Sequence, residues 1–246
     1  MNDFSIKKKA GFLKDFSVVK TDLHSHLIPG LDDGSETIGE SIEIIKRLSQ
    51  LGYKKLITTP HVINNSYNNS NSEIHSGLEK LKKEIIRHEI DIDINAAAEY
   101  YTDFEFLDKI QKQDLLTFGN KKYVLFETSS LSISKLLFEA IFLLHTYGYV
   151  PVLAHPERYH YFHNEFSFYH ELKSKGVLFQ MNIVSLLGTY SPGVKKNAEK
   201  MIKNNMIDFI GSDAHNIQYI NAIESLINNK DLNRLINSGK LLNPLL

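Results

Sequence analysis

Short apolar runs alternate along the chain with longer stretches in which apolar residues recur at every third or fourth position. The short runs are rich in β-branched and aromatic residues and predict strands, whereas the longer stretches predict amphipathic helices. The predicted strands cover residues 18–23, 55–58, 93–98, 123–126, 150–154, 177–182 and 208–211. The predicted helices cover residues 37–51, 73–89, 103–113, 133–147, 166–174 and 194–205, and two short helical stretches follow them.

Seven strands that alternate with helices predict an α/β fold with parallel pairing and right-handed crossovers. A closed barrel is the natural arrangement for this number of strands, and its active site is expected in the loops that follow the strands. A length of 246 residues favours one domain. We expect this domain to span residues 18–246, after an N-terminal extension at residues 1–17. An asparagine-rich loop at residues 64–71 is expected to be solvated, with a mobile lid as the alternative.

Composition narrows the classes of function. The net charge of -1 argues against a broad electrostatic surface for nucleic acid or anionic membrane. No apolar run approaches the roughly 20 residues of a membrane span, and no secretory signal is recognisable, so a cytoplasmic location is the default expectation. The chain contains no cysteine, which excludes disulfides, thiolate metal sites and cysteine nucleophiles.

Histidine and carboxylate side chains follow the predicted strands. His24 and His26 stand two residues apart after the first strand, so they would point in the same direction and could bind one metal ion. Taken alone, this pair is equally compatible with surface or core-edge histidines. Residues of the same types in the first loop or near later strand ends are Asp33, His61, Glu99, Glu127, His155, Asp213 and His215. Such residues are rare at buried strand ends unless they are paired or bind a metal.

Imidazole and carboxylate ligands suit zinc, manganese or iron and do not by themselves distinguish these metals. Nine ligands exceed the capacity of one tetrahedral site, so two or three ions are expected. Divalent ions spaced about 3.5–4 Å apart clamp a phosphoryl group and supply a hydroxide, which makes phosphate ester hydrolysis the leading chemistry. Arg158 follows His155 in the same loop, and its guanidinium is suited to phosphate binding. The alternative for Arg158 is a salt bridge to Glu157 or to another loop carboxylate.

Several short motifs carry a resemblance to a known family. They are Asp22-Leu23-His24-Ser25-His26 with Pro29-Gly30-Leu31-Asp32-Asp33-Gly34, Thr58-Thr59-Pro60-His61, Glu99-Tyr100-Tyr101, Ala154-His155-Pro156-Glu157-Arg158-Tyr159 and Ser212-Asp213-Ala214-His215-Asn216. With these motifs the sequence resembles the polymerase-and-histidinol-phosphatase (PHP) metalloenzyme superfamily. Within it, the chain resembles the bacterial tyrosine-protein phosphatases of capsule and exopolysaccharide operons, over residues 18–216.

The resemblance implies a distorted, seven-stranded (β/α)7 barrel of the TIM-like kind and a trinuclear site that often holds manganese. The ligands it implies for the first ion are His24, His26, Glu99 and Asp213. Those for the second ion are Glu99 as a bridge, Glu127 and His155, and those for the third are Asp33, His61 and His215. Arg158 would bind the phosphate.

By this resemblance the protein would be a metal-dependent protein-tyrosine phosphatase, in which a metal-bridging hydroxide attacks phosphorus in line. Its substrate would be a phosphotyrosine protein, and a tyrosine kinase of polysaccharide assembly is the expected partner, so the enzyme would regulate capsule or exopolysaccharide synthesis. A small-molecule phosphatase, such as histidinol phosphatase, is the main alternative on the same fold and metals. The intact ligand set argues against a non-catalytic metal-binding barrel, and the near-neutral charge argues against a nuclease.

Overall fold

The structure, a computed structural model, describes residues 12–246 and has an α/β fold whose named strands all pair in parallel. Within this range the strands are β1 Thr21–Leu23, β2 Lys55–Thr58, β3 His61–Val62, β4 Asp93–Ala96, β5 Glu99–Tyr101, β6 Tyr123–Glu127, β7 Val150–Ala154, β8 Leu178–Asn182 and β9 Phe209–Gly211. The α-helices of the same range are α1 Ile38–Gln50, α2 Asn71–Arg87, α3 Phe104–Lys112, α4 Leu137–Thr146, α5 His160–His163, α6 Ser167–Ser174, α7 Pro192–Lys203, α8 Ile217–Ser225 and α9 Lys230–Ile236. Short 3₁₀ helices lie at Pro156–Arg158, Ile183–Leu187 and Asn243–Leu245. The predicted α/β alternation is confirmed.

The strands form two sheets, with the order β1-β2-β4 in one and β3-β5-β6-β7-β8-β9 in the other. The described residues contain nine strands where the sequence predicts seven, because the short strands β3 and β5 follow β2 and β4 after two-residue breaks. Backbone bonding continues across these breaks, since Ala97 N donates to Thr58 O and Glu99 N donates to Pro60 O. A strand of two residues, such as β3, is too short to show an alternating pattern, which is why the sequence does not predict it.

The segments that follow the first and the last strand lie side by side. Asp213 N donates a hydrogen bond to His24 O at 2.8 Å. Gly211 permits this close approach, because a Cβ atom at its position would collide with the carbonyl oxygen of Leu23. The carboxyl ends of β1 and β9 therefore meet, although the two strands belong to different sheets.

Side chains along the strands alternate between two apolar layers, as the two-residue period of a strand requires. One layer is shared with the helices, and in the other the strand side chains pack against one another. We call this second layer the apolar floor; its buried members are Leu23, Ile57, Ala97, Phe118, Tyr123, Leu125, Val152, Ala154 and Phe209. Within β6, Tyr123 and Leu125 belong to the floor, while Val124 and Phe126 belong to the layer shared with the helices.

Local sequence signals set the starts of the two longest helices of the described chain. The Thr37 side chain accepts a hydrogen bond from Glu40 N at the start of α1. Ser70 and Glu73 form a reciprocal capping box at the start of α2, which places the end of the asparagine-rich loop. None of the helices between residues 12 and 246 combines the length and the apolar character that a membrane span requires.

The predicted N-terminal extension lies partly outside the described residues, which begin at Phe12. Its described part packs on the rest of the chain, since Leu13 and Phe16 are buried. Leu13 N donates to Asn233 Oδ1 at 2.6 Å, and Phe16 N donates to Leu51 O at 2.8 Å. This segment is therefore attached to both α9 and the end of α1.

Candidate metal centre

The structure brings together all nine side chains that the sequence predicts as metal ligands. Their nitrogen and oxygen atoms form overlapping groups, and within each group these atoms lie within 4.8 Å of one another. The groups are His24 with His26 and Asp213, His24 with Glu99 and His155, His61 with Glu99 and Glu127, and His26 with Asp33, His61 and His215. Side chains that are far apart in the sequence, from His24 to His215, thus converge at the carboxyl ends of the strands.

The four side chains predicted for the first ion approach one another through their nitrogen and oxygen atoms. His24 Nε2 lies 3.1 Å from Glu99 Oε2 and 3.2 Å from Asp213 Oδ1. His26 Nε2 lies 3.6 Å and 3.4 Å from the same two oxygens. All four side chains are buried. Two imidazole nitrogens and two carboxylate oxygens therefore face one another at the deepest part of the cluster.

Glu99 is the shared member of the cluster. Its Oε1 lies 3.0 Å from His155 Nε2, while its Oε2, which faces His24, also lies 3.1 Å from His61 Nδ1. Glu127 lies at the same side, with Oε2 3.8 Å from His155 Nε2 and Oε1 3.5 Å from His61 Nδ1. The carboxylate of Glu99 can therefore bridge two ions, as the resemblance implies.

The third predicted ligand group lies nearer to solvent. Asp33 Oδ1 is 3.5 Å from His61 Nε2 and 3.5 Å from His215 Nε2. The side chain of Asp33 is 56% exposed, whereas those of His24 and Glu99 are fully buried. The cluster therefore has a buried end and an open end.

Two features of the described residues fit divalent ions. Ligand atoms bound at about 2.1 Å to one ion lie roughly 3.0–3.5 Å apart in tetrahedral or octahedral geometry. Three of the four nitrogen-to-oxygen distances in the first group, 3.1, 3.2 and 3.4 Å, lie in this range. In addition, His26 Nε2 and His61 Nδ1 are buried and make no hydrogen bond within the described chain. Buried polar atoms are normally satisfied, so unsatisfied nitrogens that face carboxylates indicate a place for a cation.

The charges of the cluster also indicate a place for a cation. Burial, together with the negative charge of Glu99, raises the pKa of Glu127 well above its usual range. A bound cation would relieve this repulsion between carboxylates. Burial and the nearby Arg158 guanidinium lower the pKa of His155 to about 4, so this imidazole is neutral near pH 7 and its nitrogen lone pair is available.

Two of the proposed ligands, Glu99 and Glu127, lie on the same side of the strands as the apolar floor. Glu99 stands two residues after Ala97, and Glu127 stands two residues after Leu125. The strand period therefore turns these carboxylates toward the same side as the floor, one step further along the strand.

His24 and His155 reach the cluster by leaving this period. Each follows a floor residue directly, so a continued strand would turn it to the opposite face. Their φ angles are +81° and +34°, in the left-handed region that non-glycine residues seldom adopt. Such conformations cost about 1–3 kcal/mol each and persist where the surroundings enforce them. Backbone strain at these two residues therefore positions their imidazoles.

Neighbouring polar groups orient the imidazoles of the cluster. His26 Nδ1 lies 2.6 Å from Asp32 Oδ2, and His215 Nδ1 lies 2.8 Å from Asp213 O. Because these oxygens only accept hydrogen bonds, each Nδ1–H donates, and in the neutral imidazole that binds a metal Nε2 is the nitrogen with the free lone pair that faces the cluster. Asp32 is itself held by the backbone N–H groups of Gly34 and His61.

We call the polar residues that hydrogen-bond to the proposed ligands the outer layer of the metal centre. Three of them are absent from the sequence-based site, namely Asp32, Gln180 and Asn182. Gln180 Oε1 lies 2.8 Å from His24 Nδ1. Asn182 Nδ2 donates to Asp213 Oδ2 at 2.6 Å. A signal for two of them was present, because Gln180 and Asn182 are polar residues two positions apart at the end of a buried strand, as are the predicted ligands.

Arg158 lies at the edge of the cluster and pairs with one of its carboxylates. Arg158 Nη1 donates to Asp213 Oδ2 at 3.1 Å, and the guanidinium carbon lies 4.5 Å from the centre of the Tyr190 ring. The expected alternative partner, Glu157, instead accepts hydrogen bonds from Asn182 N and from the Ser185 hydroxyl. The salt bridge considered as the alternative for Arg158 is thus made to Asp213. The role of Arg158 in binding phosphate stays a prediction.

The cluster opens into a cleft of about 460 Å³. Seven of the nine predicted ligands line it together with Arg158, while His24 and His26 lie beneath. Its remaining walls are Ile63, Tyr67, Asn216 and Tyr219. A second cleft of about 320 Å³ shares Glu127, His155 and Arg158 with it. The site is therefore accessible from solvent and extends beyond the ligands.

Two proteins that are similar to this chain in sequence are tyrosine-protein phosphatases. The tyrosine-protein phosphatase YwqE of Bacillus subtilis is 30% identical over 197 residues, which cover 80% of this chain and 78% of YwqE. The tyrosine-protein phosphatase CpsB of Streptococcus agalactiae is 26% identical over 201 residues, which cover 80% of this chain and 83% of CpsB.

A solved structure shares the fold closely. It comes from work on YwqE of Bacillus subtilis and CpsB of Streptococcus pneumoniae, described as unique metal-dependent tyrosine phosphatases. It superposes with a TM-score of 0.78 at 26% identity, over 90% of this chain and 93% of that one. The family model for capsular polysaccharide synthesis, CpsB/CapC, matches residues 20–222. The chain therefore belongs to the CpsB/CapC family, as its motifs predict.

Proposed function

We propose that the protein is a metal-dependent protein-tyrosine phosphatase that regulates capsular or exopolysaccharide synthesis. One observation carries the proposal: nine imidazole and carboxylate groups converge around Glu99, with Arg158 at the edge of the same cleft, in a chain of the CpsB/CapC family. A phosphatase of the cysteine class is excluded, because the chain contains no cysteine. The catalytic barrel is proposed to span residues 18–246 as one domain in a distorted closed (β/α)7 arrangement, in which β2 with β3 and β4 with β5 each count as one broken strand; the contact between β1 and β9 supports the closure.

The proposed cofactor is two or three divalent ions, with manganese as the first candidate and zinc or iron as alternatives. The ligands proposed for the first ion are His24, His26, Glu99 and Asp213. Those for the second are Glu99, Glu127 and His155, and those for the third are Asp33, His61 and His215. When bound, such ions activate water for attack on phosphorus and neutralise the charge of the phosphoryl group.

Arg158 is the protein group proposed to bind the phosphate. One of its N–H groups is engaged by Asp213, and the side chain is 36% exposed toward the cleft, so other N–H groups are available to phosphate oxygens. The ring of Tyr190 supports the guanidinium from one side. A phenolate leaving group, whose conjugate acid has a pKa of ~10, needs little proton assistance. The proposed hydrolysis therefore does not require a strong general acid.

The shape of the site favours a protein substrate. The third ligand group is open to solvent at Asp33, and the second cleft adjoins the metal cleft through Arg158. A tyrosine kinase of polysaccharide assembly in the cytoplasm is the proposed partner, and membership of a capsular polysaccharide synthesis family supports it. A small-molecule substrate such as histidinol phosphate remains the alternative to be measured.

The proposal is tested with purified protein and a phosphotyrosine peptide. We expect hydrolysis in the presence of Mn²⁺, loss of hydrolysis after treatment with a chelator, and recovery when Mn²⁺ is restored. Histidinol phosphate, assayed in parallel, should be hydrolysed with a much lower kcat/KM. Equal or faster turnover of histidinol phosphate would overturn the substrate class, and full activity in the presence of chelator would overturn metal dependence.

Arg158→Ala separates phosphate binding from metal binding. We expect activity to fall by at least about 100-fold, the scale for losing one group that stabilises transition-state charge, while metal content stays unchanged. Arg87→Ala is the matched control, because Arg87 is an exposed arginine paired with Glu84 far along helix α2. Persistent turnover in Arg158→Ala would show that Arg158 does not bind the phosphate.

A further inference from the structure

Two tyrosines stand at the mouth of the metal cleft, and each packs on an imidazole of the proposed third ligand group. The Tyr67 ring lies 5.6 Å from the His61 ring with an interplanar angle of 14°. The Tyr219 ring lies 5.5 Å from the His215 ring with an angle of 34°. Both tyrosines line the cleft, and both are only partly buried. Aromatic surface is therefore presented on the solvent side of the ligands.

The position of Tyr67 is built by the asparagine-rich loop. Ile63 and Tyr67 exchange two backbone hydrogen bonds of 2.9 Å, which close a tight turn. The Asn69 side chain donates to His61 O and to Leu31 O, each at 2.8 Å. The loop is expected to be solvated, with a mobile lid as the alternative, and most of residues 64–68 are indeed exposed. Its hydrogen bonds also attach it to the segments that carry His61 and the first loop. Tyr67 is thus held beside the cleft.

We propose, building on the proposed phosphatase function, that Tyr67 and Tyr219 determine specificity by contacting the phenyl ring of phosphotyrosine. A phosphate bound between Arg158 and the ligands places the attached group toward the mouth of the cleft, where these rings lie. Aromatic pairs add stabilisation beyond the burial of apolar area. A phosphate ester of an alkyl alcohol has no ring and does not gain this contact.

The second cleft offers a poorer surface for a phenyl ring. Besides hydroxyl groups, it is lined by two tyrosines, Tyr101 and Tyr159, but the Tyr159 ring is only 1% exposed and stacks on Tyr161. Its one aliphatic side chain, Leu131, is 90% exposed and offers no enclosed wall. The second cleft thus offers one partly exposed tyrosine, Tyr101, whereas the metal cleft offers two, and we therefore assign the phenyl ring to the cleft that contains Tyr67 and Tyr219.

The test measures binding without hydrolysis. Phenylphosphonate and methylphosphonate are titrated into the Mn²⁺-loaded protein by calorimetry, because both carry the same anion and differ in the ring. We expect wild type to prefer phenylphosphonate. Tyr67→Leu and Tyr219→Leu should each weaken the binding of phenylphosphonate by roughly 3- to 10-fold and leave the affinity for methylphosphonate unchanged.

Conservative and remote variants separate a ring contact from a structural effect. Tyr67→Phe keeps the ring and should restore the wild-type ratio of the two dissociation constants. Tyr147→Leu is the matched control, because Tyr147 is a partly buried tyrosine at the end of α4 and does not line either cleft. It should leave both affinities unchanged.

The opposite results would overturn the inference. Equally weakened binding of both phosphonates in Tyr67→Leu and Tyr219→Leu would show a structural role. Selective loss of phenylphosphonate binding in Tyr101→Leu would place the ring in the second cleft. Either result can occur while the phosphotyrosine peptide is still hydrolysed, so the phosphatase proposal would survive it. Failure of both phosphonates to bind the wild-type protein would instead overturn the phosphate site and this inference together.

Discussion

The apolar floor and the candidate metal centre lie on the same side of the strands, with the metal centre closer to the carboxyl ends. Within β6, Leu125 is a floor residue and Glu127, two positions later, is a proposed ligand. Ala97 and Glu99 repeat this relation. The change from floor to metal centre takes one strand period, about 7 Å along the strand. Apolar packing and charged chemistry are therefore direct neighbours.

The comparison shows how the two regions divide stability and function. The floor gains free energy by burying apolar side chains. The metal centre buries carboxylates and imidazoles, which costs free energy unless they are paired or bind cations. It also holds His24 and His155 in left-handed backbone conformations. Substitutions in the floor should therefore change mainly stability, and substitutions in the metal centre should change mainly metal binding.

Glu99→Gln should have the largest effect, because its two oxygens face His24, His61 and His155. We expect metal affinity to fall by more than about 100-fold, since outer partners of a metal site alone account for about 10- to 100-fold. Metal content after dialysis and the rate on a phosphotyrosine peptide provide the measurement. Glu43→Gln, on the exposed face of α1, is the control. Retention of metal in Glu99→Gln would contradict the proposed bridge.

Phe209→Ala should mainly destabilise the fold. Phe209 is fully buried in the floor, where it packs against Tyr123 and Phe118. We expect the free energy of unfolding to fall by about 3–5 kcal/mol, measured by urea denaturation. The protein that remains folded should bind the same number of ions. Phe142→Ala removes a side chain that is 67% exposed and should change stability by no more than about 0.5 kcal/mol.

Asp32→Asn tests the outer layer of the metal centre. The substitution keeps the shape of the side chain but removes the charge that orients the Nδ1–H of His26. We expect metal affinity to fall by about 10- to 100-fold, with the unfolding midpoint nearly unchanged. Asp91→Asn, at an exposed pair with Lys54, is the control. An unchanged metal affinity would show that Asp32 does not support the site.

Ile57→Val should have the smallest effect. It removes one methyl group from the floor, and Ile57 is buried at the end of β2. We expect a loss of about 0.5–1.5 kcal/mol in unfolding free energy and no change in metal affinity. A measurable drop in metal affinity would mean that the floor and the metal centre are mechanically coupled, which would weaken the division proposed above.

The sequence predicts the proposed ligands better than it predicts the outer layer and the short strands around them. All nine proposed ligands stand out in the sequence, because they are histidines and carboxylates in the first loop or near predicted strand ends. Gln180 and Asn182 were missed, because amide side chains are common and only their position in a buried strand marks them. The strands β3 and β5 were missed because two or three residues are too few to show a period.

The amino-acid sequence by itself determined the alternation of strands and helices, the set of possible ligands, the exclusion of cysteine chemistry and the family. These properties depend on residue identity and on neighbours within a few positions. Only the tertiary structure decided that Glu99 faces His24 from 75 positions away, that Asp213 takes Arg158 as its partner, and that Tyr67 stands beside His61. It also decided the left-handed backbone at His24 and His155, because such conformations persist only where distant packing enforces them.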